Sequence, residues 1–329
     1  MSLKNKTFLI VGGAGYIGSH MVLMLHELGH QVIVLDNLST GFEDAVIGAE
    51  FIHGDIHDSE KLDEVFKKFN IDVVMHFAAH IDVGESVRDP FKYYRNNVVG
   101  TQTLLERMVS NCVNNFIFSS TAAIFGEPEY VPIDEAHIKK PINPYGHSKL
   151  MVEQMLESYD QAYGLKSICL RYFNAAGADP KTRIGERHDP ETHLIPLVLQ
   201  AASGRRESIS VFGNDYDTDD GTCVRDYIHI IDLCSAHLLS SELLLKEERS
   251  QRFNLGNGNG YSINQVIEVA KRITGKQIKI EQADRREGDP AKLVADAALA
   301  KKALNWVPEY SNLEEIIEHA WRWEFKQSQ

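Results

Sequence analysis

The sequence predicts an α/β protein, in which a doubly wound parallel sheet precedes a smaller mixed α/β lobe. Three observations predict it. Short apolar runs alternate with helix-spaced segments from residue 7 to about residue 170, as in repeated β-α-β units. A glycine-rich turn, Gly12-Gly13-Ala14-Gly15-Tyr16-Ile17-Gly18, follows the first run and opens a helix. From about Asn174 the alternation gives way to charged and turn-forming residues. The expected domains are 1–174 and 175–329, with a segment near 222–240 packing back on the first.

Thr7 to Val11 reads as a buried strand. The helix after the turn is expected from about Ser19 to Leu28, closed by Gly29, and Gln31 to Leu35 is a second strand ending at Asp36. Strand, glycine turn, helix, strand and acid in this order form the dinucleotide-binding unit of a Rossmann-type sheet. Glycines let backbone amides approach a pyrophosphate at the helix N-terminus, and the acid binds the adenosine ribose. Asn37-Leu38-Ser39-Thr40 contains no Arg or Lys to neutralise a 2′-phosphate, which favours NAD over NADP.

Phe51 to Ile56 is expected as a strand whose end, Asp55 and Ile56, reaches adenine. Glu60 to Phe69 has helical spacing, and Asp72 to Phe77 is a fourth strand leading into Ala78-Ala79-His80. Phe91 to Asn111 is expected as one helix, with Val98, Thr101, Leu105 and Met108 on one stripe. Phe116-Ile117-Phe118 is a fifth strand, ending at Ser119-Ser120-Thr121. A helix from Ser148 to Tyr163 and a strand from Lys166 to Leu170 complete the sheet. Gly12, Asp36, Asp55, Ala78 and Thr121 all fall at strand C-ends, where such sheets bind ligands.

The second lobe is expected to shape a substrate cleft. Its helices are read at Leu194 to Ser203, Glu242 to Lys246, Ile263 to Thr274, Leu299 to Leu304 and Leu313 to Phe325, with strands at Ser208 to Phe212 and Lys276 to Glu281.

Composition is that of an ordinary globular protein, 43% hydrophobic and 25% charged. A net charge of −13 argues against a nucleic-acid partner, which calls for a basic face. Four cysteines without a CxxC pair suggest reduced thiols in a cytoplasmic protein. No signal-peptide core or membrane-length apolar run is present. His53 and His57 with Asp55 and Asp58, and His188 and His193 with Asp189 and Glu191, read as solvated loop residues, so no metal is expected. Ser119 and Ser120 lack the G-x-S-x-G elbow of a serine hydrolase.

Chemistry is expected in Asn143-Pro144-Tyr145-Gly146-His147-Ser148-Lys149, together with Thr121. Tyr145 and Lys149 share one helix face at i, i+4, and Pro144 suits the first turn. An ammonium beside the phenol favours the phenolate, so Tyr145 is a candidate base below its free pKa of about 10.

These segments resemble the extended short-chain dehydrogenase/reductase family, and within it the UDP-sugar 4-epimerases, along essentially the whole chain. The resemblance rests on Gly12, Gly15 and Gly18, on Thr121, Tyr145 and Lys149, and on Tyr172-Phe173-Asn174. Val211 to Tyr216, Gly221 to His229 and Arg285 to Asp289 extend it. It implies catalysis by Thr121, Tyr145 and Lys149. It implies NAD contacts from Tyr16, Ile17, Asp36, Asn37, Asp55, Ile56, Phe77, Ala78, Asn97, Tyr145, Lys149 and Tyr172, beside the three glycines. Thr121, Asn174, His193, Phe212, Arg225, Arg286 and Asp289 would face the UDP-sugar, with Leu293 at its gate. Both arginines suit a diphosphate, although Asp226, Glu287 or Asp289 could pair with them instead.

The implied reaction interconverts UDP-glucose and UDP-galactose by transient oxidation at sugar C4, rotation of the 4-keto sugar and hydride return. Leu293 replaces a bulky tyrosine, which leaves room for the N-acetyl group of UDP-GlcNAc and UDP-GalNAc. Ile81 stands where relatives often carry a lysine for the NAD pyrophosphate, Thr121 where many have serine, and His193 where some have asparagine. A dehydratase would need an acid pair after Thr121, where Ala122-Ala123 stand. A uronate epimerase would need an extra cation, and a non-catalytic NAD-binding module would not need the intact Thr121, Tyr145 and Lys149. The resemblance also implies a homodimer formed by helices near Phe91–Asn111 and Ser148–Tyr163.

Overall fold

The computed structural model describes residues 5–285 and 289–329. In chain order its elements are β1 (Thr7–Val11), α1 (Tyr16–Glu27), β2 (Gln31–Asp36), β3 (Glu50–His53), α2 (Ser59–Lys68), β4 (Val73–His76), α3 (Val83–Arg88), α4 (Pro90–Tyr93), α5 (Thr101–Ser110), β5 (Asn115–Thr121), α6 (Pro144–Tyr163) and β6 (Lys166–Tyr172). There follow β7 (Asn174–Ala176), α7 (Leu194–Ser203), β8 (Ile209–Phe212), β9 (Val224–His229), α8 (Ile230–Glu247), β10 (Gln251–Leu255), β11 (Gly260–Ser262), α9 (Ile263–Thr274), β12 (Ile280–Ala283), β13 (Lys292–Leu293), α10 (Ala298–Leu304) and α11 (Leu313–Gln327).

The chain forms two compact units. The first comprises the chain up to Gly126, Lys139–Arg171 and Cys234–Phe253; the second comprises Glu127–Ile138, Tyr172–Leu233 and Asn254–Gln329. The units are therefore interleaved, where the sequence suggests two consecutive blocks. The returning segment is Cys234–Phe253, further along than 222–240. It carries most of α8, expected only from Glu242 to Lys246. Buried on this helix are Ile230, Leu233, Cys234, Ala236 and Leu244, but also His237, Ser240 and Ser241. A helix covered on several sides lacks the polar face that marks an amphipathic one, so its period is faint in sequence.

The first unit holds a seven-stranded sheet in the order β10-β6-β5-β4-β1-β2-β3. The pairs β1–β2, β1–β4, β2–β3 and β4–β5 are parallel. This is the doubly wound order, with its switch point between β1 and β4. All five β1 residues are buried, as expected of a sheet covered on both faces. One core cluster joins Leu9, Ile33 and Phe116 to Leu104, Leu105 and Met108 of α5 and to Val152 and Leu156 of α6.

The expected helix over Phe91–Asn111 is divided: a π-helical turn, Tyr94–Gly100, separates α4 from α5. The turn carries the buried Asn97. Gly100 lies so close to Ile56 that a Cβ would come within 2.4 Å of its Cδ1.

In the second unit, β9 is central to a small mixed sheet, parallel to β7 and β13 and antiparallel to β11. β8 and β12 form a separate parallel pair. Ile195, Val198 and Leu199 of α7, Val266 and Ile267 of α9 and Ile316 and Ile317 of α11 form its core with Val211 and Tyr227.

Candidate active site

Of the four glycines in the turn, Gly12, Gly15 and Gly18 differ in what surrounds them. Gly12 has φ +82°, and a Cβ there would lie 2.4 Å from the Ala78 amide nitrogen. At Gly18 a Cβ would lie 2.1 Å from the Gly12 carbonyl oxygen, so α1 packs directly on the turn. Gly15 is the N-cap of α1 at φ −78°, without a side-chain cap. A Cβ at Gly15 would meet only the Gly12 oxygen, at 3.6 Å. The protein's own packing leaves this position open, on the face where uncapped helix amides attract an anion. The residues thus fit a dinucleotide pyrophosphate.

Asp36 accepts hydrogen bonds from the amides of Ala14 (2.9 Å) and Leu38 (2.8 Å). It holds the turn shut while each carboxylate oxygen keeps a further lone pair for ribose hydroxyls. Asp55 accepts from Asn37 Nδ2 and contacts His57 Nδ1, both at 2.7 Å. Burial raises its pKa, but these bonds and the His57 amide outweigh burial and hold the carboxyl below its ordinary value. Asn37, Asp55, His57, His80, Lys92 and Arg95 line a cleft of about 570 Å³; Lys92 and Arg95 carry no signal in the sequence reading, which takes His57 as a solvated loop residue. Phe77 and Ala78 amides both donate to the Val11 carbonyl (2.8 and 3.1 Å), which brings the β4 end against the turn. Tyr16 is buried, edge-on to His20, beside the half-buried Ile17. Ile81 is exposed. Tyr172 ends β6.

Asn97 is satisfied within the protein. Its Oδ1 accepts from the His80 amide (2.9 Å), and its Nδ2 donates to the His80 carbonyl (3.0 Å) and Ser148 Oγ (3.1 Å). It ties the segment after β4 to α6.

α6 presents three residues, one per turn, to the last three of β5. Tyr145 is hydrogen-bonded by the Thr121 side chain. Lys149 Nζ donates to the Ser119 carbonyl (2.8 Å). Glu153 Oε1 accepts from Ser120 Oγ (2.6 Å). Asn143 caps the helix by accepting from the Gly146 amide (2.8 Å), so α6 begins at Pro144, ahead of the expected Ser148. Glu153 in turn takes a fork from Arg171, Nε at 2.9 Å and Nη2 at 2.6 Å. Sequence reasoning missed this buried pair, because its members are far apart in the chain and each alone reads as a surface charge.

The electrostatics correct one expectation. Burial pushes the Tyr145 pKa up, and the opposing influence is the Thr121 hydrogen bond rather than Lys149. Burial lowers Lys149 to about 7. The protein's own groups therefore keep the Tyr145 proton in place, and the expected depression by Lys149 is absent.

In the second unit, Asn174, Arg225 and Leu293 lie on one sheet: Leu293 is in register with Arg225, and Asn174 with Tyr227. Asn174 Nδ2 donates to the Asp226 carbonyl (3.1 Å). Arg225 pairs with Asp289 and donates to the carbonyls of Val224 and Pro290, so its ion-pair alternative is realised. Asp226 instead accepts three backbone amides, from Asn257, Gly258 and Ala295. Phe212 ends β8, and His193 caps α7 with its Nδ1 turned toward Glu186 at 2.8 Å. Arg286, with Glu287 and Gly288, lies outside the described residues.

A nucleotide-binding turn at the β1–β4 switch point, with threonine, tyrosine and lysine gathered where α6 meets β5, defines a short-chain dehydrogenase/reductase of the extended type. The family model for GDP-mannose 4,6 dehydratase matches residues 9–320, and the UDP-glucose 4-epimerase of Halalkalibacterium halodurans is 55% identical over 315 residues, 96% of this chain and 94% of that protein. The chain belongs to the UDP-glucose 4-epimerase family. A crystal structure of UDP-glucose 4-epimerase is similar with a TM-score of 0.96 at 52% identity, covering 98% of each chain. Another, from Brucella ovis in complex with NAD, has a TM-score of 0.95 at 48% identity, covering 97% of this chain and 98% of its own.

Proposed function

We propose that the chain interconverts UDP-glucose and UDP-galactose with NAD as a bound cofactor. The observation that carries this reading is the hydrogen-bonded Thr121–Tyr145 pair, on the helix that also carries Lys149, in a unit whose glycine turn is open only at Gly15. Bound NAD supplies the acceptor and donor of hydride, together with a positive nicotinamide ring.

Tyr145 takes the proton of the sugar 4-hydroxyl and later returns it. Thr121 donates to the phenolic oxygen, which favours the phenolate and fixes its direction. Lys149, anchored on the Ser119 carbonyl, holds the cofactor ribose and completes the positive surroundings. Asp36 binds the adenosine ribose, with Asn37, Asp55 and Ile56 beside it. Arg225 and Arg286 bind the UDP diphosphate, and Asp289 exchanges its ion pair with Arg225 for a contact to the nucleotide. Asn174, His193 and Phe212 complete the substrate contacts. Ala122 and Ala123 offer no acid for eliminating water, which disfavours a dehydratase.

Leu293 leaves space at sugar C2, so UDP-GlcNAc and UDP-GalNAc are also substrates. Exposed Val87, Phe91, Val99, Met151 and Tyr163, on α3, α4, α6 and the π turn, support a homodimer. Four free thiols support a reducing, cytoplasmic setting. Among the described residues no helix is long and apolar enough to cross a membrane.

The test is Tyr145→Phe, assayed for UDP-galactose conversion with NAD content measured on the same preparation. Turnover should fall by about two to four powers of ten, as for other proton-transfer groups, with NAD retained. Turnover near wild type would overturn the assignment.

A further inference from the structure

We propose that the loop leading into α7 holds a structural zinc ion on Glu186, His188, Glu191 and His193. One donor atom from each of these residues lies within 4.8 Å of all the others. His188 Nδ1 is 3.3 Å from Glu186 Oε1 and 3.5 Å from Glu191 Oε2. His193 Nδ1 is 2.8 Å from Glu186 Oε1 and 3.3 Å from Glu191 Oε1. Tetrahedral zinc with bonds of about 2.0–2.1 Å separates its donors by about 3.4 Å. With either Glu191 oxygen as the fourth donor, two of the three separations that apply lie close to that value and the 2.8 Å separation lies below it.

The second observation is the state of Glu186. Its side chain is 6% exposed, and among the described residues Oε1 has no hydrogen-bond partner. His193 Nδ1 lies 2.8 Å away yet is not aligned as a donor to it. Both atoms belong to the cluster of four donors. Oε1 thus meets two imidazole nitrogens without an aligned hydrogen bond from either, and a cation held among these donors satisfies all three.

The surroundings fix the ligands as an outer shell does. The backbone amides of Thr192 and His193 donate to Glu191 Oε1 (2.8 and 2.9 Å). Trp323 Nε1 of α11 donates to the Glu186 carbonyl (3.0 Å), and a Cβ on Gly185 would lie 2.3 Å from the Trp323 ring. Two imidazoles and two carboxylates suit zinc, and four protein ligands make a closed, structural site. Asp189, which the sequence suggests as a partner, is exposed; Glu186 takes its place.

The chain, purified with its bound NAD and without chelator, is analysed for metals by mass spectrometry. Protein stripped of metal is then titrated with Zn²⁺ alone, and with Co²⁺ to read the visible bands of a tetrahedral site. About one zinc per chain and an intense cobalt spectrum are expected. Glu186→Gln and His188→Gln should bind zinc at least about tenfold more weakly, with NAD content reporting that each variant is folded. Wild-type protein that neither retains nor takes up zinc would overturn the proposal. So would undiminished zinc binding by both variants.

Discussion

Glu153→Gln should weaken the first unit and slow turnover together, because one carboxylate serves both. Glu153 is 2% exposed and Arg171 1% exposed. Arg171 gives Glu153 two hydrogen bonds, and Ser120 Oγ gives a third at 2.6 Å. A buried guanidinium cannot shed its proton. With a neutral amide opposite, the guanidinium loses its charged partner while it still faces the Phe125 ring at 5.6 Å and the repulsion of the neighbouring Lys139. Breaking a buried pair by removing one partner costs about 3–5 kcal/mol. Glutamine keeps one carbonyl acceptor, so the loss should fall near the lower limit, about 3 kcal/mol, with Glu153→Ala near the upper. Ser120 lies between Ser119, which anchors Lys149, and Thr121, which meets Tyr145. Loosening the end of β5 therefore misplaces both side chains proposed for catalysis, and kcat should drop by about ten- to a hundredfold. Urea unfolding of NAD-loaded protein measures the first effect, and UDP-galactose turnover the second. Glu153→Leu combined with Arg171→Met should recover most of the lost stability, since the buried guanidinium leaves with its carboxylate and Arg252, 3.5 Å from Glu153, keeps its pair with Glu157. A Glu153→Gln protein within about 0.5 kcal/mol of wild type, or a double variant no more stable than either single change, refutes the reasoning.

Gly15→Ala should leave NAD-free stability within about 0.5 kcal/mol of wild type and still reduce NAD retention, since the added methyl group meets only the Gly12 oxygen at 3.6 Å. Gly18→Ala should instead destabilise by about 1–3 kcal/mol, because its methyl group would lie 2.1 Å from backbone; melting curves and NAD content separate the two, and normal NAD retention by Gly15→Ala tells against the pyrophosphate site. Burial holds Lys149 at about 7 against 10.5 in the unfolded chain, so between those values the unfolded state binds more protons and the Lys149 contribution to stability rises with pH. The stability of NAD-free wild type relative to Lys149→Met should therefore climb from pH 7 toward pH 10; a flat difference contradicts the buried-amine reading. Leu293→Tyr should lower UDP-GalNAc conversion by about ten- to a hundredfold and leave UDP-galactose conversion close to wild type; equal losses on both substrates dismiss Leu293 as the gate.

Much of the first unit could be read from neighbouring residues. Thr7–Val11 and Gln31–Asp36 are apolar runs bounded by turn signals, and both are strands within one residue of expectation. The shared face of Tyr145 and Lys149 follows from spacing along the chain, and Pro144 falls in the first turn of α6 as expected. The π turn at Tyr94–Gly100, the length of α8 and the return of Cys234–Phe253 to the first unit are different in kind. Each depends on packing against segments distant in sequence.

By itself the sequence determined the doubly wound sheet and the preference for NAD over NADP, because periodicity and spacing over a few residues carry that information; it offered Thr121, Tyr145 and Lys149 as candidates through spacing and family resemblance together. Tertiary structure decided which charges are buried and what they face: Glu153 against Arg171, Arg225 against Asp289, Lys149 against the Ser119 carbonyl, and Glu186 with the two histidines. Whether a charge meets water or another side chain depends on which distant strands and helices are brought together, and no local pattern records that.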